Sequence, residues 1–133
     1  MDLDRARSFV RDNHRAVLGT LRSDGTPQLS PVLVAVDDAG RLVVSTRAAT
    51  AKVRNLRREP RAWVCVLPDG FFGEWIQVDG SVEIVELPAA LPLLEDYYRR
   101  IAGEHDDWDD YRRSMRDEQR VLLRIEPTRA GPG

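Results

Sequence analysis

The stretch RLVVSTRAATAKVRNLRREPRAWVCVL, residues 41–67, changes its hydrophobic pattern twice. Arg41 to Thr46 is rich in β-branched residues and reads as a strand. From Ala49 the apolar positions Ala49, Val53 and Leu56 fall at i, i+4 and i+7, one face of a helix. Glu59-Pro60 ends that helix, because the residue before a proline avoids helical geometry. Arg61 to Leu67 then reads as another strand. What flanks this strand–helix–strand unit decides between a parallel α/β sheet and a β structure with inserted helices.

Upstream, Leu3, Ala6 and Val10 lie at helical spacing and mark a short amphipathic helix over residues 4–13. Ala16 to Leu21 is an apolar run fit for a buried strand, and Ser23-Asp24-Gly25-Thr26 is a hairpin signal. Pro27 to Val36 reads as one strand, ended by the turn Asp37-Asp38-Ala39-Gly40. Downstream, Pro68-Asp69-Gly70 turns the chain into Glu74 to Glu86, a long strand with its bend or bulge at Gly80. Pro88 opens a helix carrying Leu91, Leu94, Tyr98 and Ile101 on one face, capped by Gly103. A second helix begins at Asp106 or Asp107 and carries Trp108, Tyr111 and Met115, which read as core. Arg120 to Glu126 is the closing strand, and Thr128 to Gly133 looks loose. Six short strands with tight turns, not a helix after every strand, predict a barrel or closed sheet.

With 133 residues the chain is one domain's worth, residues 1–133, with no repeat and no linker. Hydrophobic residues make up 42% and charged residues 32%, an ordinary balance for a folded protein. No apolar run approaches the roughly 20 residues of a membrane helix, and the acidic, amphipathic N-terminus does not read as a secretory signal. The single cysteine, Cys65, excludes an internal disulfide and suits a reducing cytoplasm; in an apolar strand it reads as a small buried hydrophobe. A net charge of -2 makes nucleic acid a poor partner. His14 and His105 stand far apart with no neighbours at metal-ligand spacing, so no metal site is expected.

Lys52 is the only lysine among 20 basic residues. A coding bias toward arginine explains the other 19 but not the exception. The helix that follows Ser45-Thr46 has no acidic residue in its first turn, where free N–H groups and the positive dipole end normally attract one. It has Thr50 and Lys52, with Arg47 just upstream. Hydroxyls, backbone N–H groups and a compact cation converging at a helix start suit a phosphate. Read by itself, the segment is equally an ordinary cap at Thr50 and a solvated Lys52. Arg57 and Arg58 need no ligand, since cations belong in a helix's last turn.

The run Ser45-Thr46, then, after Arg47 to Ala51, Lys52-Val53-Arg54-Asn55-Leu56-Arg57-Arg58-Glu59-Pro60-Arg61 resembles the cofactor segment of the pyridoxamine-5′-phosphate-oxidase-like flavoproteins. Gly25 to Val32 is similar to that superfamily's second strand. Ile101 to Arg112 resembles a narrower branch, the actinobacterial oxidoreductases that use the deazaflavin coenzyme F420. The resemblance runs from about Arg15 to Ile125.

It implies a mainly β fold with inserted helices: a split β-barrel of six to seven strands, of the FMN-binding split-barrel type. It also implies a homodimer with the cofactor at the subunit interface. Carried over by position, Ser45, Thr46, Thr50, Lys52 and Asn55 hold the phosphate and nearby ribityl oxygens. Ser30, Pro31 and Val32 lie along the ring through backbone contacts, and Trp75 or Gln77 approaches from the other subunit. Trp75 reads equally as a plain interface aromatic, and Ser30-Pro31 as a strand edge. Two subfamilies fit less well: no basic C-terminal segment is present for a pyridoxamine phosphate, and no histidine follows His105 for haem.

The expected activity is hydride transfer between F420 and a small organic acceptor. The alternatives are an FMN enzyme of the same fold and a flavin- or F420-binding protein without turnover. No Ser/His/Asp set, paired carboxylates or activated cysteine stands out, so no catalytic residue is named.

Overall fold

The structure is a computed structural model that describes residues 1–131. Helix α1 (Leu3–Asp12) precedes strands β1 (Arg15–Leu21), β2 (Pro27–Leu33), β3 (Ala35–Val36) and β4 (Leu42–Arg47). Helix α2 (Ala51–Arg58), strands β5 (Arg61–Leu67) and β6 (Ile76–Val85), helices α3 (Ala90–Ala102) and α4 (Trp108–Asp117) and strand β7 (Arg120–Gly131) follow. Seven antiparallel strands form one curled sheet in the order β2-β1-β5-β6-β7-β4-β3. Its two edge strands are neighbours in sequence, parted by Val34 alone.

The expected strand Pro27 to Val36 therefore divides. Its first part pairs with β1, from Leu21↔Pro27 to Arg15↔Leu33, and its last two residues pair with β4. The corner between them is held at Val34, whose N–H donates to the His14 carbonyl at 2.8 Å. The His14 Nδ1 lies 2.8 Å from the Val34 carbonyl. One strand thus serves both margins of the sheet, and β2 and β4 separate beyond the corner.

Local chemistry sets the ends of the helices. Asp2 caps α1, its carboxylate accepting the N–H groups of Asp4 and Arg5, and Asp107 caps α4 by accepting the N–H of Asp110. Pro88 lies just before α3, and Gly103, at φ +80°, ends it.

The bend expected at Gly80 is a bulge. Asp79 pairs with Arg129 but Gly80 with Pro127, so Thr128 is the extra residue, and its hydroxyl donates to the Asp79 carbonyl. Beyond that bulge Arg129 to Gly131 continue the ladder against Asp79, Val78 and Gln77. The tail from Thr128 that looked loose is strand as far as Gly131; Pro132 and Gly133 lie outside the described residues.

Two apolar layers share the sheet. The inner face carries Leu18, Leu42, Val44, Val64, Ile76, Leu123 and Ile125, closed by Val10 of α1 and by Val53 and Leu56 of α2. Each such side chain, fully buried, contributes about 1.5–3 kcal/mol. On the opposite face Ala35, Val43 and Leu122 pack against Ala90, Leu94, Tyr111 and Met115 of α3 and α4. Both faces of β4 are therefore covered.

Helix α2 is also pinned by polar contacts. The Asn55 amide donates to the Thr20 hydroxyl at 3.1 Å and its carbonyl oxygen accepts from Arg58 at 3.1 Å, with Asn55 only 7% exposed.

Two stability predictions follow from these contacts. A Cβ on Gly80 would stand 2.5 Å from the Glu126 carbonyl oxygen and 2.6 Å from Ile125 Cγ2, so Gly80→Ala displaces backbone. It is expected to lose about 2 kcal/mol in urea unfolding. Asn55→Ala removes the donor to the buried Thr20 hydroxyl, which keeps only its own bond to Gln28 Oε1, and is expected to cost about 1 kcal/mol in the same measurement.

Candidate functional site

Where β2 and β4 part, a cavity of about 710 Å³ opens under α3 and α4. That size suits an organic cofactor or ligand, within the range of roughly 300–1,000 Å³ usual for such sites. One wall is β1 and β2, with Val17, Pro31, Val32 and Leu33, and Arg15 at its margin. The other is the free side of β4, with Ser45 and Thr46. Tyr97, Tyr98, Tyr111 and Met115 form the roof, and Lys52 and Arg120 supply positive charge.

The charge is unbalanced. Arg47 and Arg120 face each other directly across β4 and β7, a like-charged pair that would repel. Glu118 answers both: its Oε1 accepts from Arg120 Nη2 at 2.8 Å and from Arg47 Nη2 at 3.2 Å. Hydrogen bonds from Arg120 first, and then from Arg47, hold the Glu118 carboxyl below the usual carboxylate range. The turn that places Glu118 and Arg120 passes through Gln119 at φ +52°, and the Gln119 carbonyl accepts from Ala48 N–H.

Lys52 has no such answer. Burial, and then repulsion by Arg120, lower its pKa, and no carboxylate of the described residues offsets them. Glu118 thus pairs with two of these three cations and leaves Lys52 without a carboxylate among the described residues. The start of α2 adds to the imbalance: it has no acidic residue in its first turn and no side-chain cap. The Thr50 hydroxyl instead donates to the Arg47 carbonyl at 3.0 Å.

The three tyrosines differ. Tyr97 donates to the Leu33 carbonyl at 2.8 Å, and Tyr111 donates to the Leu94 carbonyl at 2.7 Å. Burial pushes the Tyr111 phenol up to about 12, with Tyr97 adding to the shift. Tyr98 packs its ring against His105, Trp108 and Tyr111, at centroid distances of 5.0–5.8 Å.

Of the residues expected from sequence, Pro31, Val32, Ser45, Thr46 and Lys52 come together on this cavity. Ser30 lies beside its wall, with a buried Oγ that finds no hydrogen-bond partner. Thr50 closes the turn before α2, and Asn55 points inward to Thr20. Trp75 and Gln77 lie outside the cavity of their own chain, both exposed. Tyr111 and Met115, expected as core, are core and cavity wall at once.

Arg120 and Tyr97 went unread. Arg120 shows no local signal; only the strand register sets it beside Arg47. Tyr97 lies next to Tyr98 on α3, where helical spacing alone favoured Tyr98 for the apolar face.

The profile of the pyridoxamine 5′-phosphate oxidase family matches residues 3–131. A conserved hypothetical protein from Mycobacterium tuberculosis is 28% identical with a TM-score of 0.76, the match covering 98% of this chain and 82% of that one. An F420 reductase is 25% identical with a TM-score of 0.73, covering 94% of each chain. HutZ, a haem storage protein from Vibrio cholerae, shares the fold at 16% identity and a TM-score of 0.72, over 98% of this chain and 94% of that one. With its curled seven-stranded sheet, split between β2 and β4, the chain belongs to the pyridoxamine 5′-phosphate oxidase family and has its split β-barrel fold.

Proposed function

We propose that this protein is an F420-dependent reductase acting on a small oxidised organic molecule. The observation that carries the reading is Lys52: a half-buried cation beside Arg120, without a carboxylate, at the mouth of an apolar cavity. Its unanswered charge suits a phosphate. The likeness to an F420 reductase over 94% of both chains favours the deazaflavin. When bound, F420 supplies the hydride.

The chain's own residues bind and orient. Lys52 and Arg120 take the phosphate as ion-pair partners, with the Ser45 and Thr46 hydroxyls beside them. Ser30, Pro31 and Val32 run along the ring through their backbone. Thr50 and Asn55 serve the same end by fixing the start of α2 and its seat on β1. Proximity and orientation are the protein's contribution here, since positioned reactants react far faster than free ones.

FMN carries a ribityl phosphate too, so the same cations would accept it; that is the second reading. Fluorescence titration of the purified apoprotein with F420 and with FMN separates the two. Tight binding of F420 alone supports the proposal, preference for FMN moves the protein to flavin chemistry, and binding of neither overturns both. Bound F420 that is never oxidised in its reduced form by any acceptor would mark a carrier.

The reading includes a homodimer. Leu29 is 65% exposed, Phe72 87% and Trp75 44%, and together with Leu33 and Phe71 these leave apolar surface on the outer side of β2 and on the β5–β6 connection. Apolar surface of this kind marks an interface. A second copy seated there covers it and brings Trp75 and Gln77 to the partner's cavity. The assembly works in the cytoplasm, and no helix of the described residues is long and apolar enough to cross a membrane.

Lys52→Ala is expected to weaken cofactor binding by about 2 kcal/mol, roughly thirtyfold in Kd. Because the pKa of Lys52 is depressed, wild-type affinity should fall as pH rises, beginning below the usual lysine range. The alanine variant should lack that fall. Sedimentation of the wild type should give twice 15.1 kDa. The double variant Leu29→Arg, Trp75→Arg should sediment as a monomer; a wild type that is already monomeric sinks the interface.

A further inference from the structure

The last pairs between β3 and β4 are Ala35↔Val43 and Val36↔Leu42. Carried two residues on, that register would set Leu33 opposite Ser45, but among the described residues no strand pairing continues there. The Tyr97 hydroxyl occupies the gap between the same two residues. It donates to the Leu33 carbonyl at 2.8 Å and stands beside the Ser45 backbone N–H.

Strand edges that face each other with unpaired N–H and C=O groups tend to zip together. Direct pairing would bring the Ser45 nitrogen and the Leu33 oxygen to about 2.9 Å. An oxygen set between them, bonded to the Leu33 carbonyl, keeps them beyond that distance. Pro31, which has no N–H to offer, further weakens the ladder toward Arg47.

We infer that Tyr97 is a positioning residue for the cofactor cavity: its hydroxyl replaces the Leu33–Ser45 ladder bond and holds the cleft open. Ser45, Thr46 and Lys52 thereby stay turned to the space between the strands. This rests on the cofactor reading above for its consequence, but not for its geometry. Burial raises the Tyr97 pKa, so the proton that the Leu33 carbonyl accepts stays in place through the neutral range. With its proton given to the Leu33 carbonyl, Tyr97 shapes the site and does not donate a proton to a ligand.

The test has two parts. In the wild-type apoprotein, amide hydrogen exchange by NMR should show the Ser45 N–H exchanging at least tenfold more slowly than a free amide, although no strand covers it. In Tyr97→Phe that exchange should quicken at least tenfold. The variant's Kd for F420, or for FMN if that is the cofactor, should rise at least tenfold, with a shifted emission spectrum of whatever still binds. A Ser45 amide that exchanges freely in the wild type overturns the inference, and so does a folded Tyr97→Phe protein that binds with unchanged Kd. If the wild type binds neither cofactor, the cofactor reading fails while the Ser45 exchange still decides the part Tyr97 plays. Should Tyr97→Phe not fold, the wild-type exchange decides alone.

Discussion

The corner at Val34 is the constraint from which the rest of the architecture follows. A strand that continued straight from Pro27 to Val36 would remain on β1 and leave the sheet open. Two contacts with His14, one through its carbonyl and one through its ring, turn the chain instead and hand its last two residues to β4. The sheet then curls until its first and last strands are one segment. The gap beside the corner is the geometric remainder of that closure, because β2 pairs with β1 alone and only Ala35 and Val36 reach β4.

The cationic end of the cavity is likewise a consequence of register. Antiparallel pairing of β4 with β7 sets Arg47 against Arg120, and like charges directly opposite cost stability. Glu118 relieves this only in part. Arg47 is 62% exposed in its pair with Glu118, and exposed ion pairs contribute between about 0 and 1 kcal/mol. The carboxylate therefore orients the two guanidinium groups more than it stabilises the fold, and it leaves Lys52 unanswered. A site that keeps excess charge in this way holds free energy that an anion can release.

Much of the architecture was legible in the sequence because local signals carry it. Asp-Gly and Asp-Asp-Ala-Gly turns, the proline after Glu59, the acidic cap of α4 and the bend at Gly80 each act within a few residues. The start of α2 was legible for the same reason: a first turn with a lysine and no acid is a local anomaly. What was not legible depends on partners distant in sequence. The division at Val34 needs His14, twenty residues away. The strand beyond Thr128 needs the bulge opposite Gly80, and Arg120 gains its meaning only from Arg47. Asn55 was read from its place in a motif, yet its side chain meets Thr20, a partner no spacing rule identifies.

One local signal in β4 carries more than its strand assignment. Alternate residues of a strand face opposite sides, so Val43 and Ser45 share one face and Val44 and Thr46 the other. Val43 packs under α3 and α4, and Val44 lies in the barrel core. Two residues further on, both faces exchange valine for a hydroxyl of similar or smaller size. Burying a hydroxyl costs free energy unless it finds a partner, so a strand whose partners continued would gain nothing from the change. The exchange falls at the register position where β3 has ended and β2 has turned away. Polarity enters the strand where neighbouring backbone leaves it, and from that point β4 forms the wall of a binding cavity.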